Sequence, residues 1–415
     1  MEHISIFSPE INGNRIIIRF ECSPLLKRYF PLSTFEISYS ESIEKVPASI
    51  AVIPLICNLL PIVWLTDSTL KVDALDEDFY ESINNFKQGY IDMYPQMVFH
   101  GKIEVKSIEK NEFATIDNKA AAFFSGGVDA FATLIAHIDE RPTLLTVRGS
   151  DITLDDEEGW NNVTKHVEET CFELGCNHIY ISSNFRMFLD EGLLSQFVAK
   201  SGDGWWHGFQ HGIGLLGLAA PISFIEGFTT IYIASSYTAT DHVTCASHPS
   251  IDNNVRYGGS HIKHDQYEFT RQAKLTHICE FVRKSQKRIS LRVCWMSRGG
   301  GNCCTCEKCL RTIYGILAEG EDPIRMGFPQ IAGKYEAIKK QIQHQIIFNF
   351  ISIPFWIDIQ KRFIENKDKL NYGSDINWIY EYDFHKANHT LRKQAVILYA
   401  ALRRQLSHIK KLFLS

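Results

Sequence analysis

Residues 120–130 read Ala120-Ala121-Ala122-Phe123-Phe124-Ser125-Gly126-Gly127-Val128-Asp129-Ala130, and this stretch decides the fold. An apolar run ends in Ser-Gly-Gly, and helical spacing starts at once, with Phe131, Leu134, Ile135 and Ile138 at i, i+3, i+4 and i+7. The pattern predicts strand, tight loop, helix. Glycines let the backbone approach a ligand closely, and a new helix N-terminus presents free N–H groups and the positive end of its dipole. An anion suits such a corner, a phosphate chain above all. A strand–turn–helix corner with no ligand has the same local sequence.

Outward from this corner, residues 143–147, 178–181 and 230–234 read as further strands. Between them Trp160, Val163, Val167, Cys171 and Leu174 mark one helix, and Ile213, Leu215, Leu216, Leu218 and Ala219 mark another after His207-Gly208. Strands alternating with helices imply an α/β fold with a parallel, doubly wound sheet. In such sheets ligands bind outside the carboxyl ends of the strands. That rule gathers 125–129, 148–151, 184–186 and 235–238 into one candidate site.

The chain has 415 residues, 45% hydrophobic and 22% charged, with a net charge of −5. Those values suit a globular protein of two or three packing units and disfavour a general polyanion binder. Met1-Glu2-His3-Ile4 lacks the basic start and apolar stretch of a signal peptide, so a cytoplasmic protein is expected. Residues 46–65 are apolar and about long enough to span a bilayer. Pro47, Pro54, Pro61, Asn58 and Ser49 interrupt them, which predicts two buried strands or turns and no membrane segment.

Residues 1–118 look β-rich, with strands at 15–21, 35–39, 62–65 and 103–105 and a helix carrying Phe79, Ile83, Phe86 and Tyr90. They read as an N-terminal α+β accessory domain. Residues 245–270, with Ser247-His248-Pro249, Asp252, Gly258-Gly259-Ser260-His261, His264-Asp265 and Tyr267, lack periodicity and predict a functional loop. Its His and Asp residues either hold a substrate or metal or stud the surface of a lid. Residues 321–415 read as a helical extension whose apolar stretch 346–357 docks on something. After Asp383 only basic charges follow: Lys386, Arg392, Lys393, Arg403, Arg404, Lys410 and Lys411. A solvated helix face is the expectation there, ahead of contact with nucleic acid or an acidic partner.

Five of the 11 cysteines lie within 294–309. Cys294, Cys303, Cys306 and Cys309 have the spacing that surrounds one tetrahedral Zn²⁺. Zinc binding is worth about 10–16 kcal/mol in small zinc peptides, against about 2–4 kcal/mol for a disulfide. Metal is therefore the natural organiser of 297–302, which has no core of its own. Four cysteine ligands leave no open coordination position, so the metal is structural. An iron–sulfur cluster is the competing chemistry. Cys304 stands outside the set, because adjacent cysteines rarely chelate one ion together.

Ser125-Gly126-Gly127-Val128-Asp129 at a first βα turn, followed by this cysteine spacing and Arg311, resembles the QueC family. These are the 7-cyano-7-deazaguanine synthases of the PP-loop ATP-pyrophosphatase superfamily. The resemblance covers 119–320 and implies a Rossmann-like (HUP) sheet. It also implies ATP cleavage between the α and β phosphates, an acyl-adenylate, and displacement of AMP by an amine. Ser125, Gly126, Gly127 and Val128 would cradle pyrophosphate, and Asp129 would orient the loop or hold Mg²⁺. Val147, Arg148 and Gly149 would meet the adenosine, and Arg186 or Arg311 would neutralise phosphate or carboxylate.

The departures from the family are specific. Ala130 stands where the PP-loop carries Ser, Cys304 stands where the cysteine motif carries Gly, and the flanking regions are extra. Extended QueC-like proteins of bacterial anti-phage operons share this layout. That likeness implies a 7-deazaguanine carboxylate as substrate and a protein amine as acceptor, the protein coming from the same operon. The alternatives are the ammonia-using nitrile synthase, a tRNA-thiolating enzyme, and a nucleotide-binding scaffold without catalysis.

Overall fold

Isoleucine and phenylalanine at every second position make one face of the N-terminal strands apolar. Ile16, Ile18 and Phe20 are buried on β3 (Arg15–Cys22), and Phe35, Ile37 and Tyr39 on β4 (Thr34–Tyr39). With them lie β1 (His3–Ile6), β2 (Glu10–Asn12), β5 (Thr69–Asp76) and β6 (Lys102–Glu109). The helices of this region are α1 (Ala48–Ala51), α2 (Ile53–Leu65) and α3 (Glu77–Met93), the last capped by Asp76, whose carboxylate accepts from Phe79 N–H at 3.1 Å.

The computed structural model describes residues 2–112, 119–201, 203–241, 243–294, 296, 299–389, 393–396 and 398–399. After 118 the chain alternates as expected. β7 (Lys119–Phe123) leads to α4 (Val128–Ala136), β8 (Thr143–Arg148) to α5 (Glu157–Leu174), and β9 (His178–Ser183) to α6 (Glu191–Val198). A π-helical turn, Trp206–Gln210, then opens α7 (His211–Leu218) and α8 (Ala220–Glu226), which return to β10 (Phe228–Ala234).

Residues 245–270 are not a loop. They hold the short α9 (Pro249–Asp252), β11 (Arg256–Tyr257) and β12 (Ser260–Asp265), and β12 pairs in parallel with β10. The alternation of β12 is disguised because Ser260, His264 and Asp265 occupy buried positions.

Among the described residues the strands form one sheet in the order β11-β12-β10-β7-β8-β9-β4-β3-β1-β5-β6, with β2 on β3. From β12 to β9 all pairs are parallel. The chain leaves β7 toward β8 and β9, then crosses back to place β10 on the opposite side of β7. In open parallel sheets such a reversal marks the place where ligands bind, here the carboxyl end of β7.

Residues 1–118 share this sheet: β4 pairs with β9 antiparallel, Ile37 opposite Ser183. Two compact units result, Met1–Thr270 and Arg271–Ser415, and the expected boundaries at 118 and 320 fall inside them.

The strands expected within 46–65 are helices instead. Pro54 sits in the first turn of α2, where no intrahelical N–H is required, and Pro61 is accommodated inside. Burial of 12 residues of α2 overrides the proline penalty, since a fully buried Leu or Ile contributes about 1.5–3 kcal/mol. The run Trp206–Glu226 is apolar and long enough to cross a membrane by composition, but 83% of it is buried within the protein, as in a core helix.

In the second unit, α10 (Arg271–Ser285), α11 (Glu307–Ala318), α12 (Tyr335–His344), α13 (Ser352–Glu365) and α14 (Ser374–Asn377) surround a cluster of Tyr314, Trp356, Phe363 and Phe384. Arg362 grips the buried Glu319 with two bonds of 2.8 and 2.9 Å. Of the basic residues expected on a solvated face, Lys386 pairs with Asp383 at 3.2 Å. Lys393 is instead buried, donating to the carbonyls of Ile342 and Ala387. Arg392, Arg403, Arg404, Lys410 and Lys411 lie outside the described residues.

Gly149, just past β8, has φ +99°, and a Cβ there would lie 2.0 Å from the Ser183 carbonyl oxygen. Gly149→Ala is expected to cost about 2–3 kcal/mol and to lower the thermal midpoint by roughly 5–10 °C, read by differential scanning calorimetry.

Candidate functional site

The corner after β7 is built by the β7–β8 ladder and its continuation. Phe124 N–H donates to the Leu145 carbonyl at 2.9 Å, and the Thr146 hydroxyl donates to the Phe124 carbonyl at 3.0 Å. Gly126 then turns at φ +77°, and Gly127, in extended conformation, caps α4. Ser125 is exposed, Gly127 and Asp129 are half-buried, and Val128 is fully buried. Four N–H groups at a helix start lack intrahelical acceptors, so the corner offers backbone donors at the strand-order reversal. Ala130 is buried, its methyl occupying the position where a hydroxyl is expected.

The neighbouring strand ends meet this edge. Val147 and Arg148 close β8. The Arg148 guanidinium donates to the Leu154 carbonyl at 2.7 Å, pairs with Glu157 and lies 5.8 Å over the Trp160 ring. Arg186 holds Glu191 through bonds of 2.6 and 2.9 Å, lies 4.2 Å over the Trp206 ring, and reaches the Ser150 carbonyl at 3.3 Å. The loops after β8 and β9 are thereby tied together. Asn184 clips the sheet, accepting from Glu36 N–H at 2.9 Å and donating to the Thr34 carbonyl at 3.0 Å. Arg311 belongs to the second unit, 3.8 Å from Glu307 and 4.4 Å over the Phe355 ring.

The second unit contains the cysteine centre. The Sγ atoms of Cys294, Cys303, Cys306 and Cys309 all lie within 4.8 Å of one another. Cys294–Cys306 and Cys303–Cys309 are each 3.9 Å apart. A tetrahedron with metal–sulfur bonds of about 2.3 Å has sulfur–sulfur edges of about 3.8 Å, so the four thiols fit one zinc-sized ion. Backbone donors face the sulfurs: Cys306 N–H reaches Cys303 Sγ at 3.3 Å, and Cys309 N–H reaches Cys306 Sγ at 3.5 Å. These donors and the N-terminus of α11 favour thiolate over thiol.

Cys304 lies outside the set. Its backbone is left-handed, φ +58°, the conformation that favours glycine, and its Sγ contacts Gln330 Oε1 at 3.0 Å.

Asn302 is a residue the spacing did not single out. Its Oδ1 accepts from the N–H groups of Val293 and Cys294 at 2.9 and 3.2 Å, and its Nδ2 donates to the carbonyls of Leu291 and Gly327 at 2.7 and 2.8 Å. One side chain thus fixes Cys294 against the Cys303–Cys309 turn. Asn302→Ala is expected to weaken metal binding about 10–100-fold, measured by competition with a chromogenic chelator.

A further group in the first unit is gathered from distant positions: Asp203, His207 and Cys245, with Tyr94, His211, Tyr237 and Thr244 around them. None of these was singled out as a group along the sequence; the one local signal is the Asp203-x3-His207 spacing of one helical turn. No family model matches the chain, and no curated protein is significantly similar to it.

Proposed function

We propose that the chain is an ATP-dependent, AMP-forming amide ligase of the QueC-like PP-loop kind. It adenylates a 7-deazaguanine carboxylate and transfers the acyl group to an amine of a protein partner, in the cytoplasm, as part of anti-phage defence. The observation carrying this reading is the Ser-Gly-Gly-Val-Asp corner at the point where strand order reverses.

A carboxylate resists attack by an amine until one oxygen becomes a good leaving group, and AMP is such a group. Departing pyrophosphate carries charge that backbone N–H groups stabilise. Gly126, Gly127 and Val128 supply these groups, and the exposed Ser125 hydroxyl adds another donor. Asp129, in the first turn of α4, would hold Mg²⁺, which would offset the phosphate charge. Zinc on the four cysteines supplies structure only, since its coordination is closed. Val147, Arg148 and Gly149 border the same edge and suit the adenosine; Arg186 borders it through Ser150.

The test is co-expression with the neighbouring genes of its operon, followed by intact masses of every partner. A mass gain equal to a deazaguanine amide, absent with Asp129→Ala, is the expected result. Unmodified partners beside free nitrile product would overturn the reading in favour of the ammonia-using synthase. Ala130 favours one second reading, a nucleotide-binding scaffold, which would bind ATP and release no AMP with any carboxylate.

A further inference from the structure

We infer that Asp203, His207 and Cys245 form a nucleophilic acyl-transfer centre, in which the Cys245 sulfur takes an acyl group as a thioester and passes it to an amine. His207 Nδ1 lies 2.8 Å from Asp203 Oδ1, and its Nε2 lies 3.1 Å from the Tyr237 hydroxyl. Both chain neighbours of Cys245 are bound to this pair, Thr244 through its hydroxyl to Asp203 at 2.9 Å and Ala246 through its N–H to the His207 carbonyl at 2.7 Å, which sets the Cys245 thiol beside it. Asp203 is held in turn by the hydroxyls of Tyr94 and Thr244, at 3.0 and 2.9 Å on its other oxygen. A thiol placed beside a histidine that a carboxylate orients is the arrangement of covalent catalysis.

Independent features surround this series. His207 lies in a π-helical turn, a distortion frequent at functional sites. Ala246 N–H donates to the His207 carbonyl at 2.7 Å, fixing Cys245 beside the imidazole. Gly208 allows the approach, since a Cβ there would lie 2.6 Å from the Tyr94 hydroxyl. Tyr237 follows the carboxyl end of β10, and β10 neighbours β7, so the centre faces the same edge as the glycine corner.

Cys245 is nearly enclosed while the His207 side chain is 36% exposed, so a reacting carbonyl must enter beside the imidazole. Burial alone would push the Cys245 thiol up, but His207 and His211 beside it outweigh burial and hold the thiol down to about 6. Asp203 first, then Cys245, pushes His207 up to about 11. Both shifts run toward the thiolate–imidazolium form of the pair. A metal does not explain the group: among the described residues only the four clustered cysteines converge as a metal set.

The acyl donor comes from the ligase reading, on which this inference rests. The thiolate sulfur attacks the carboxyl carbon of the acyl-adenylate, the carbon–oxygen bond to phosphate breaks, and AMP leaves with the electron pair. The amine nitrogen then attacks the thioester carbon, the carbon–sulfur bond breaks, thiolate returns, and the nitrogen's proton passes to water. Asp203 acts as a positioning residue.

The experiment uses two acyl donors on the full chain. One is 7-carboxy-7-deazaguanine with ATP and no amine; the other is p-nitrophenyl acetate, which needs no adenylation. Both are expected to leave a hydroxylamine-labile mass on Cys245, found by peptide mass spectrometry. The acetyl adduct should disappear with Cys245→Ser and form at least about 100-fold more slowly with His207→Ala. Asp203→Asn should move the pH profile of acetylation upward, which a merely structural role would not do.

Acetylation of Cys245 without any release of AMP would uphold the centre and sink the ligase reading. AMP release with Cys245 unmodified by either donor, or amide formation at the wild-type rate in folded Cys245→Ser, would overturn the centre and leave the ligase reading standing.

Discussion

Cys306→Ala is expected to leave the protein without bound zinc and to unravel residues 294–309. Cys306 does two things at once. Its sulfur completes the four-thiol set, and it caps α11 by accepting from Cys309 N–H. Removing one ligand opens the coordination shell and removes the cap. A structural zinc site is worth about 10–16 kcal/mol in small peptides, while caps contribute about 1 kcal/mol, so the metal term dominates. Elemental analysis should find about one zinc per wild-type chain and none in the variant. Limited proteolysis should cut the variant within 294–309. Cys304→Gly is the control: it replaces a left-handed cysteine that is not a ligand, and it should keep the metal. A variant Cys306→Ala that holds zinc as tightly as wild type would remove this centre from the account.

Asp129→Ala is expected to reduce AMP formation by at least about 100-fold, the loss typical for one electrostatic contact made in the transition state. The side chain is half-buried in the first turn of α4. The thermal midpoint should therefore move by only a few degrees, which separates lost chemistry from lost fold. Unchanged AMP formation in folded Asp129→Ala would take this residue out of the mechanism.

Much of the architecture was readable along the chain wherever period and polarity agreed. The strands from β7 to β10 and the helices between them follow from apolar runs and 3.6-residue spacing. The reading failed where buried residues carried misleading chemistry. Pro54 and Pro61 suggested interruption, yet α2 tolerates both because one lies in its first turn and the helix is buried throughout. Ser260, His264 and Asp265 looked like loop residues, yet all three are buried on β12, where His264 Nδ1 meets Asp252 and Asp265 meets His137.

Site residues divide in the same way. The four cysteines were legible because their ligand spacing is local. Asn302 was not, since its role depends on where Leu291 and Gly327 pass. Cys245 becomes a partner of His207 only after β10 crosses back beside β7, a fact of topology with no trace in local spacing. Arg148, nominated by its place at the end of β8, and Arg186, nominated for its charge, pair with Glu157 and Glu191 within their own loops, a commitment that spacing alone does not reveal.

The most direct test of the central claim is to incubate the purified full chain with ATP, Mg²⁺ and 7-carboxy-7-deazaguanine, with hydroxylamine as a trapping amine, and to quantify nucleotides. AMP and pyrophosphate should appear in equal amounts, dependent on the carboxylate, with the hydroxamate of the deazaguanine formed alongside. ADP and phosphate as products, or AMP formation indifferent to the carboxylate, would contradict that claim.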